Sequence, residues 1–372
     1  MLKQYRLRNY NFRLILYVAA LTVLGILVIG SARESVQNKQ ILGFALGLIV
    51  MVVISLMDFS FILRFSWLFY LLNIILLILV KVMGDKTNGS VRWIEIAGLR
   101  FQPSELSKLI IILFYAYFFM KYQEQLNTVK ILAASFLLAG IPLLLIVKQP
   151  DLSTTIATAL IFAALLFIAG LSYKIVIGVL AVSIPSVVVF ISLILQPNQK
   201  ILDDYQYKRI MAWLQPEKYA DAAYQQLNSK MAIGSGQLWG KGLNNSEITS
   251  VKNGNFISEP QTDFIYAIVG EELGFVGAVT VIILLFFIVL ECILVARKAK
   301  DLSGRLICCG MAAWIGFQGF VNICVATGLM PNTGLPLPFV SYGLTSLVTL
   351  FMGIGFVLNV GLQPRKYGMG DT

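Results

Sequence analysis

The sequence predicts an all-α integral membrane protein, threaded through a bilayer by about ten apolar helices. Composition is the first observation: 58% of the 372 residues are apolar and 13% are charged, with a mean hydropathy of +0.80, more apolar surface than a soluble core uses. Length is the second. A helix rises about 1.5 Å per residue, so roughly 30 Å of hydrocarbon takes about 20 mostly apolar residues, and such runs recur along the chain. The third is that these runs are rich in Leu, Ala and Met and lack the apolar/polar alternation of a membrane barrel.

Spans are expected near residues 14–30, 41–57, 65–82, 102–120, 131–147, 153–170, 174–195, 270–296, 306–327 and 340–362. The first follows Lys3, Arg6, Arg8 and Arg13, like the charged start of a signal peptide, but no small-residue cleavage pattern follows it. It is read as a retained span. Ten spans place both termini on one side. With the N-terminus inside, the inner segments hold fourteen Lys and Arg: the first four, then Arg64, Lys121, Lys130, Lys174, Arg297, Lys298, Lys300, Arg305, Arg365 and Lys366. The short outer loops hold six, Arg33, Lys39, Lys86, Arg92, Arg100 and Lys148. That bias predicts cytoplasmic termini. The net charge of +10 is then an orientation signal with attraction to anionic lipid, and nucleic acid is not a partner.

Cys292, Cys308, Cys309 and Cys324 fall in or at the edge of expected spans without metal-ligand spacing, and read as buried thiols. The chain has no histidine. Acid–base chemistry therefore falls to carboxylates, Lys, Tyr or Cys.

Residues 196–263, between the seventh and eighth spans, form a long outer loop of mixed polarity in what is otherwise a single domain, 1–372. Loops of this length are functional or disordered. Tyr205, Tyr207, Ile210, Trp213, Leu214, Tyr219, Tyr224 and Trp239 argue for order. Residues 206–214 suit a short amphipathic helix at the headgroups, with Lys208 and Arg209 toward phosphate. The glycine-rich run from Gly234 to Gly242 carries Lys241 and reads as a flexible turn or an anion site, without the spacing of a P-loop.

The eighth span opens on a polar stretch. From Phe264 to Ala296 a straight helix is about 50 Å long, more than one membrane thickness, so its first turns protrude or line a cavity. Asp263 lies at that outer N-terminus, where the helix dipole favours an anion; the alternative is that Thr262 or Asp263 merely caps the helix. Glu271 and Glu272, two turns deeper, should face the bundle interior and be paired. At the fourth span, Pro103 suits a first turn, and Glu105 and Lys108 share a helix face as a semi-buried pair, lining a cavity or fixing helix packing.

Several stretches together resemble the SEDS family (shape, elongation, division and sporulation), the RodA and FtsW type of peptidoglycan glycosyltransferase, over essentially the whole chain. They are Arg92-Trp-Ile, Phe101-Gln-Pro-Ser-Glu-Leu-Ser-Lys108, Lys148-Gln-Pro-Asp-Leu-Ser153, Ala232-Ile-Gly-Ser-Gly with Gly240-Lys-Gly242, Thr262 to Phe275, and Pro331 to Gly343. Two places depart from the family pattern: Ser258 and Gln261 take its proline and histidine positions before the aspartate, and Gly343-Leu344 replaces Gly-Gly.

The resemblance implies polymerisation of lipid II, the undecaprenyl-linked disaccharide-pentapeptide, on the outer face of the bacterial cytoplasmic membrane. It implies an inverting displacement with Asp263 as general base, supported by Glu105 and Lys108 beside the cavity, with Glu271 and Glu272 behind. Arg92, Lys148, Arg209 and Lys241 are candidates for phosphate contact, by bidentate fork or point charge. A divalent cation, Mg or Mn, would assist the leaving diphosphate, though no carboxylate cluster demands one. The implied partner is a class B penicillin-binding protein, and the short tails favour the elongation type. A precursor flippase or transporter, or a non-catalytic scaffold, suits the same bundle; the lack of a clear internal repeat counts against transport.

Overall fold

The computed structural model describes residues 10–87, 90–96, 99–194, 196, 204–244, 250, 254 and 256–363. Lys3, Arg6, Arg8, Arg365 and Lys366, used above for orientation, lie outside them. The chain folds into a helical bundle whose members follow the hydropathy. Helices α1 (Phe12–Ala32) and α2 (Glu34–Leu56) make a hairpin about Arg33, whose extended backbone ends the first helix and starts the second. A short α3 (Phe59–Leu63) leads to α4 (Ser66–Met83), followed by α5 (Pro103–Lys121), α6 (Val129–Val147), α7 (Leu152–Ile168) and α8 (Tyr173–Ile194). After α9 (Asp204–Leu214) and α10 (Ala220–Ser235) come α11 (Ile265–Arg297), α12 (Leu302–Ala326) and α13 (Leu344–Leu362).

Every segment expected to span coincides with a helix. Among the described residues, seven helices, α1, α2, α5, α6, α11, α12 and α13, are long and apolar enough to cross a membrane. Shorter apolar runs lie at 66–82, 152–168 and 173–183, in α4, α7 and α8. The chain is a multi-helix membrane protein. The stretch between α8 and α11 contains α9, close to the amphipathic helix expected at 206–214, and a second helix, α10, that the composition did not single out.

Burial separates pillars from perimeter. The spanning window of α5 is 83% buried and that of α6 28%; a helix with apolar residues on all faces belongs inside, one with a single packed face belongs at the rim. On α2 the buried positions include Gly43 and Gly47. A Cβ at Gly47 would meet the Phe351 ring at 2.6 Å, so the missing side chain is what lets α13 pack so closely.

The all-α expectation needs one correction. Between α4 and α5 a three-stranded antiparallel sheet runs β1 (Asp85–Thr87), β2 (Ser90–Ile96), β3 (Leu99–Phe101), with Ile94 opposite Phe101 and Glu95 opposite Arg100. The run Ser-Val-Arg-Trp-Ile-Glu-Ile alternates in polarity and is rich in β-formers. Strands this short are marginal alone; contacts of β2 with α4 and α5, and of β3 with α13, hold them.

Helix α11 is broken. Gly274 adopts φ 64°, ψ −162°, a conformation open to glycine. A helix break orphans backbone groups on both sides, and the glycine-rich run satisfies them. Phe275 N donates to Gln237 O (2.8 Å) and Val276 N to Leu238 O (3.2 Å), while Lys241 N and Gly242 N donate to Glu271 O and Glu272 O (both 2.9 Å). The run is therefore a backbone clasp, neither a free turn nor an anion cradle. The overshooting helix expected from the sequence becomes two segments, Ile265–Leu273 and the membrane-length remainder.

The clasp makes a prediction. An added Cβ at Gly240, where φ is +79°, collides with the Glu272 carbonyl, whereas one at Gly234 meets nothing within 4 Å. Gly240→Ala should destabilise the protein by about 1–3 kcal/mol, and Gly234→Ala, on α10, should be neutral or stabilise by about 0.5–1 kcal/mol. Thermal unfolding in detergent checks both.

Candidate active site

Asp263 lies immediately before α11. The N-cap of α11 is Phe264, without a side-chain cap bond, and the Thr262 hydroxyl donates to Glu259 O (2.9 Å). Neither Thr262 nor Asp263 acts as the cap, so the Asp263 carboxyl is left for other work. Its main chain is pinned instead: Asn322 Nδ2, on α12, donates to Asp263 O (2.8 Å) and to Leu335 O (2.7 Å). Ser341 Oγ donates to Thr262 O (2.6 Å), and Tyr342 N donates to Gln261 O (2.9 Å). The loop 331–343 is thus laced to the segment 259–263.

Two arginines and two further carboxylates surround Asp263. Burial is the largest influence and pushes its carboxyl above the ordinary value; Arg209 and then Arg92 pull it down, and Asp151 and Glu259 push it up. Protein packed around the carboxyl produces this even though the residue retains some solvent contact. Gly334 sits against both Asp263 and Arg209: a Cβ there would lie 3.3 Å from Asp263 Oδ2 and 3.5 Å from Arg209 Nη1, at φ +76°. Arg209 Nη1 also donates to Asn332 O (3.4 Å), which brings α9 over the loop.

Arg92, on β2, is heavily engaged. Its Nε donates to Gln149 O (3.3 Å) and its Nη2 to Pro150 O, and Nη1 lies 4.0 Å from Asp151 Oδ1. Asp151 in turn caps α7 by accepting from Thr154 N (3.2 Å). Arg92 therefore fixes the turn before α7 and acts on Asp263 as a field. Lys148, by contrast, sits exposed at the C-cap of α6.

Glu105 and Lys108 form an ion pair at 2.7 Å, with side chains 3% and 0% exposed. Lys108 Nζ also donates to Gln318 Oε1 (2.7 Å) and lies 4.8 Å from the Trp314 ring centroid, while Gln318 Nε2 donates to Pro336 O (2.8 Å). The pair expected beside a cavity is instead enclosed between α5 and α12, and it reaches the site through Gln318 and the 331–343 loop. Glu271 and Glu272 are buried and partnered, as their depth required: Lys241 Nζ binds Glu271 Oε1 (2.9 Å), and Ser31 Oγ donates to Glu272 Oε1 (2.5 Å). Lys241, a candidate for phosphate contact, is in this structure the counterion of Glu271.

Sequence reasoning did not nominate Asp151, Glu259, Asn322, Gln318 or Gly334. Gln318 and Asn322 did carry a signal, two amides one turn apart in an apolar span. Among the described residues no three of His, Cys, Asp and Glu converge as metal ligands. The strongest charges acting on the Asp263 carboxyl are the cations Arg209 and Arg92, a setting that suits an anionic ligand better than a metal ion.

Gly334→Ala introduces a methyl between Asp263 and Arg209 and should lower turnover on the order of 10²-fold while the folded fraction, read by size exclusion, is unchanged. Lys108→Met leaves Glu105 buried without a counterion and should cost about 3–5 kcal/mol; adding Glu105→Leu should restore much of it, read by thermal unfolding.

A family model described as a cell cycle protein of the FtsW, RodA and SpoVE type matches residues 9–366. The chain is 32% identical over 376 residues to the probable peptidoglycan glycosyltransferase FtsW of Trichlorobacter lovleyi, covering 96% of this chain and 94% of that one. It is 34% identical over 351 residues to the peptidoglycan glycosyltransferase MrdB of Escherichia coli, covering 93% and 92%. Among solved structures it resembles a chain of a peptidoglycan synthase complex that coordinates polymerization and crosslinking (TM-score 0.77, 28% identity, covering 95% of this chain and 97% of that one). It also resembles the rod shape determining protein RodA of Thermus thermophilus (TM-score 0.68, 27% identity, covering 95% and 96%). With the match running through the loops that build the site as well as the helices, the chain belongs to the FtsW, RodA and SpoVE family of SEDS proteins and is a glycosyltransferase.

Proposed function

We propose that this chain polymerises lipid II into peptidoglycan strands on the outer face of the bacterial cytoplasmic membrane, with Asp263 as general base. The observation that supports this most is a single carboxyl, not spent on capping, raised by burial and faced by arginine. In the reaction, the 4-hydroxyl oxygen of the acceptor N-acetylglucosamine attacks the anomeric carbon of the donor. Its proton passes to Asp263, the bond from that carbon to the diphosphate oxygen breaks, and the electron pair leaves with undecaprenyl diphosphate. An α-linked donor gives a β-1,4 product, so one displacement suffices and no covalent enzyme intermediate is required.

The raised carboxyl suits this role, because a base whose proton affinity approaches the working pH gains more driving force for proton transfer. Arg209 and Arg92 oppose the rise and favour the ionised form that a base must present. The Lys and Arg bias favours cytoplasmic termini and an outward-facing Asp263. Resemblance to a chain from a peptidoglycan synthase complex supports a class B penicillin-binding protein as partner, and similarity to RodA and MrdB supports a part in elongation and cell shape.

Purified protein supplied with lipid II in detergent, where transport is irrelevant, should make glycan; a flippase or a scaffold would not. Asp263→Asn should lose about 10²–10⁴ of the rate with unchanged insertion. The base must be deprotonated to act, so the acid limb of the rate profile should lie above the ordinary carboxylate value of 3.8. Removing the cation that lowers it, in Arg209→Gln, should move that limb to still higher pH; a limb that stays or moves down refutes the base assignment.

A further inference from the structure

Between α4, α5 and the 149–151 turn lie polar side chains for which neither the site nor the Glu105 and Lys108 pair accounts. Asn73, in the middle of α4, donates through Nδ2 to Ser107 Oγ on α5 (3.0 Å). Gln149 donates through Nε2 to Leu77 O, one turn further along α4 (2.9 Å). Gln102, the N-cap of α5, donates through Nε2 to Asp151 Oδ2 (3.4 Å), which lays the turn across the start of α5. Asn73 and Leu77 are four residues apart and Ser104 and Ser107 three, so each pair shares a helix face, with a rise of about 6 Å and about 4.5 Å. With Asn73 against Ser107, and the turn reaching both Leu77 and the start of α5, Ser104 is set beside Leu77 and the Gln149 amide.

Asn73, Ser104, Ser107 and Gln149 are all buried. Three of their oxygens, Asn73 Oδ1, Ser104 Oγ and Gln149 Oε1, have no hydrogen-bond partner among the described residues. Turning the amides over does not cure this: Asn73 then leaves a nitrogen unmet, and Gln149 sets its oxygen against Leu77 O. Folded interiors leave few polar atoms unmet, and a bound water or ion is the usual reason for a cluster of them. Charge decides between the two. Lys108 lies one turn along α5 from Ser104 with its side chain fully buried, and Arg92 Nε donates to Gln149 O (3.3 Å). Two fixed cations flank the place and disfavour a metal ion. A water meets the need atom by atom: its two O–H groups donate to Asn73 Oδ1 and Gln149 Oε1, and its oxygen accepts from Ser104 Oγ.

We propose that Asn73, Ser104 and Gln149 form a binding site for a buried water at the junction of α4, α5 and the 149–151 turn. The water joins three segments that are far apart in the chain and gives an asparagine within an apolar helix its remaining partner, where an unmet polar atom is costly. It braces the turn that receives Arg92 and carries Asp151.

The test uses the full chain in detergent. Ser104→Ala deletes a hydroxyl with no hydrogen-bond partner among the described residues, so the sign of its effect is informative. With the water bound, the variant should melt about 2–4 °C below wild type. In a dry site it removes an unmet polar atom and should melt at the same temperature or higher. Leu77, buried beside the site, gives a second reading that needs no substitution. A short X-ray pulse in heavy-oxygen water should hydroxylate Leu77 despite its burial, and the label should fall in Ser104→Ala. An unchanged or raised melting temperature, or a Leu77 as unreactive as the buried Leu347, overturns the water site. So does a melting temperature that rises with sodium over choline at constant ionic strength and loses that rise in Ser104→Ala, which assigns a monovalent cation instead. Glycan synthesis by the wild type is a separate measurement, and neither result bears on the other.

Discussion

The Asn322 side chain donates one fork of hydrogen bonds to Asp263 O and Leu335 O, and the end of the bundle that carries Asp263 is organised about it. A donor amide inside an apolar helix must be satisfied, since each unmet polar group there costs several kcal/mol. By meeting that requirement with two loop carbonyls, α12 fixes the start of α11 and the 331–343 loop relative to each other. Gln318, one turn away, does the same for Pro336 while accepting from Lys108 and Trp314. A ladder of polar groups thus runs from the bundle interior to the base of the site.

That ladder explains why the Glu105 and Lys108 pair is kept in so apolar a place. A buried ion pair is weak evidence of stability, because desolvation offsets most of its attraction. Its value here is positional: the Lys108 ammonium sets the orientation of the Gln318 amide, and through it the loop that faces Asp263. The α11 break is the complementary device. Gly274 redirects the helix, and the clasp gives the freed Phe275 and Val276 N–H groups and the Glu271 and Glu272 carbonyls new partners, so the short segment Ile265–Leu273 can carry Asp263 into the loops at little hydrogen-bond cost.

How much of this was legible beforehand depends on the kind of interaction. Asp263 stood out through its position in a recognisable stretch, and Glu271 and Glu272 through the cost of an unpaired charge at their depth. Arg209 was nominated for phosphate contact, but that it faces Asp263 across Gly334 was not readable, since α9 and the 331–343 loop are far apart in the chain. Lys241 is a parallel case: a lysine in a glycine-rich run suggests an anion, and only the path of the clasp shows Glu271 as its partner. The small sheet escaped notice because its strands are too short to outweigh the helical pattern on either side.

By itself the sequence determined that the chain is a bundle of apolar helices built for a membrane, and which charges could not face lipid. These follow from local hydropathy and from the need to satisfy every backbone group in hydrocarbon, both of which are properties of contiguous residues. Tertiary structure alone decided which cation meets which carboxylate: Arg92 is committed to the turn at Asp151, Lys241 to Glu271 and Arg33 to Glu259. Pairing over such distances depends on where loops return after crossing the bundle, and a charge becomes a ligand only when no nearer partner has claimed it.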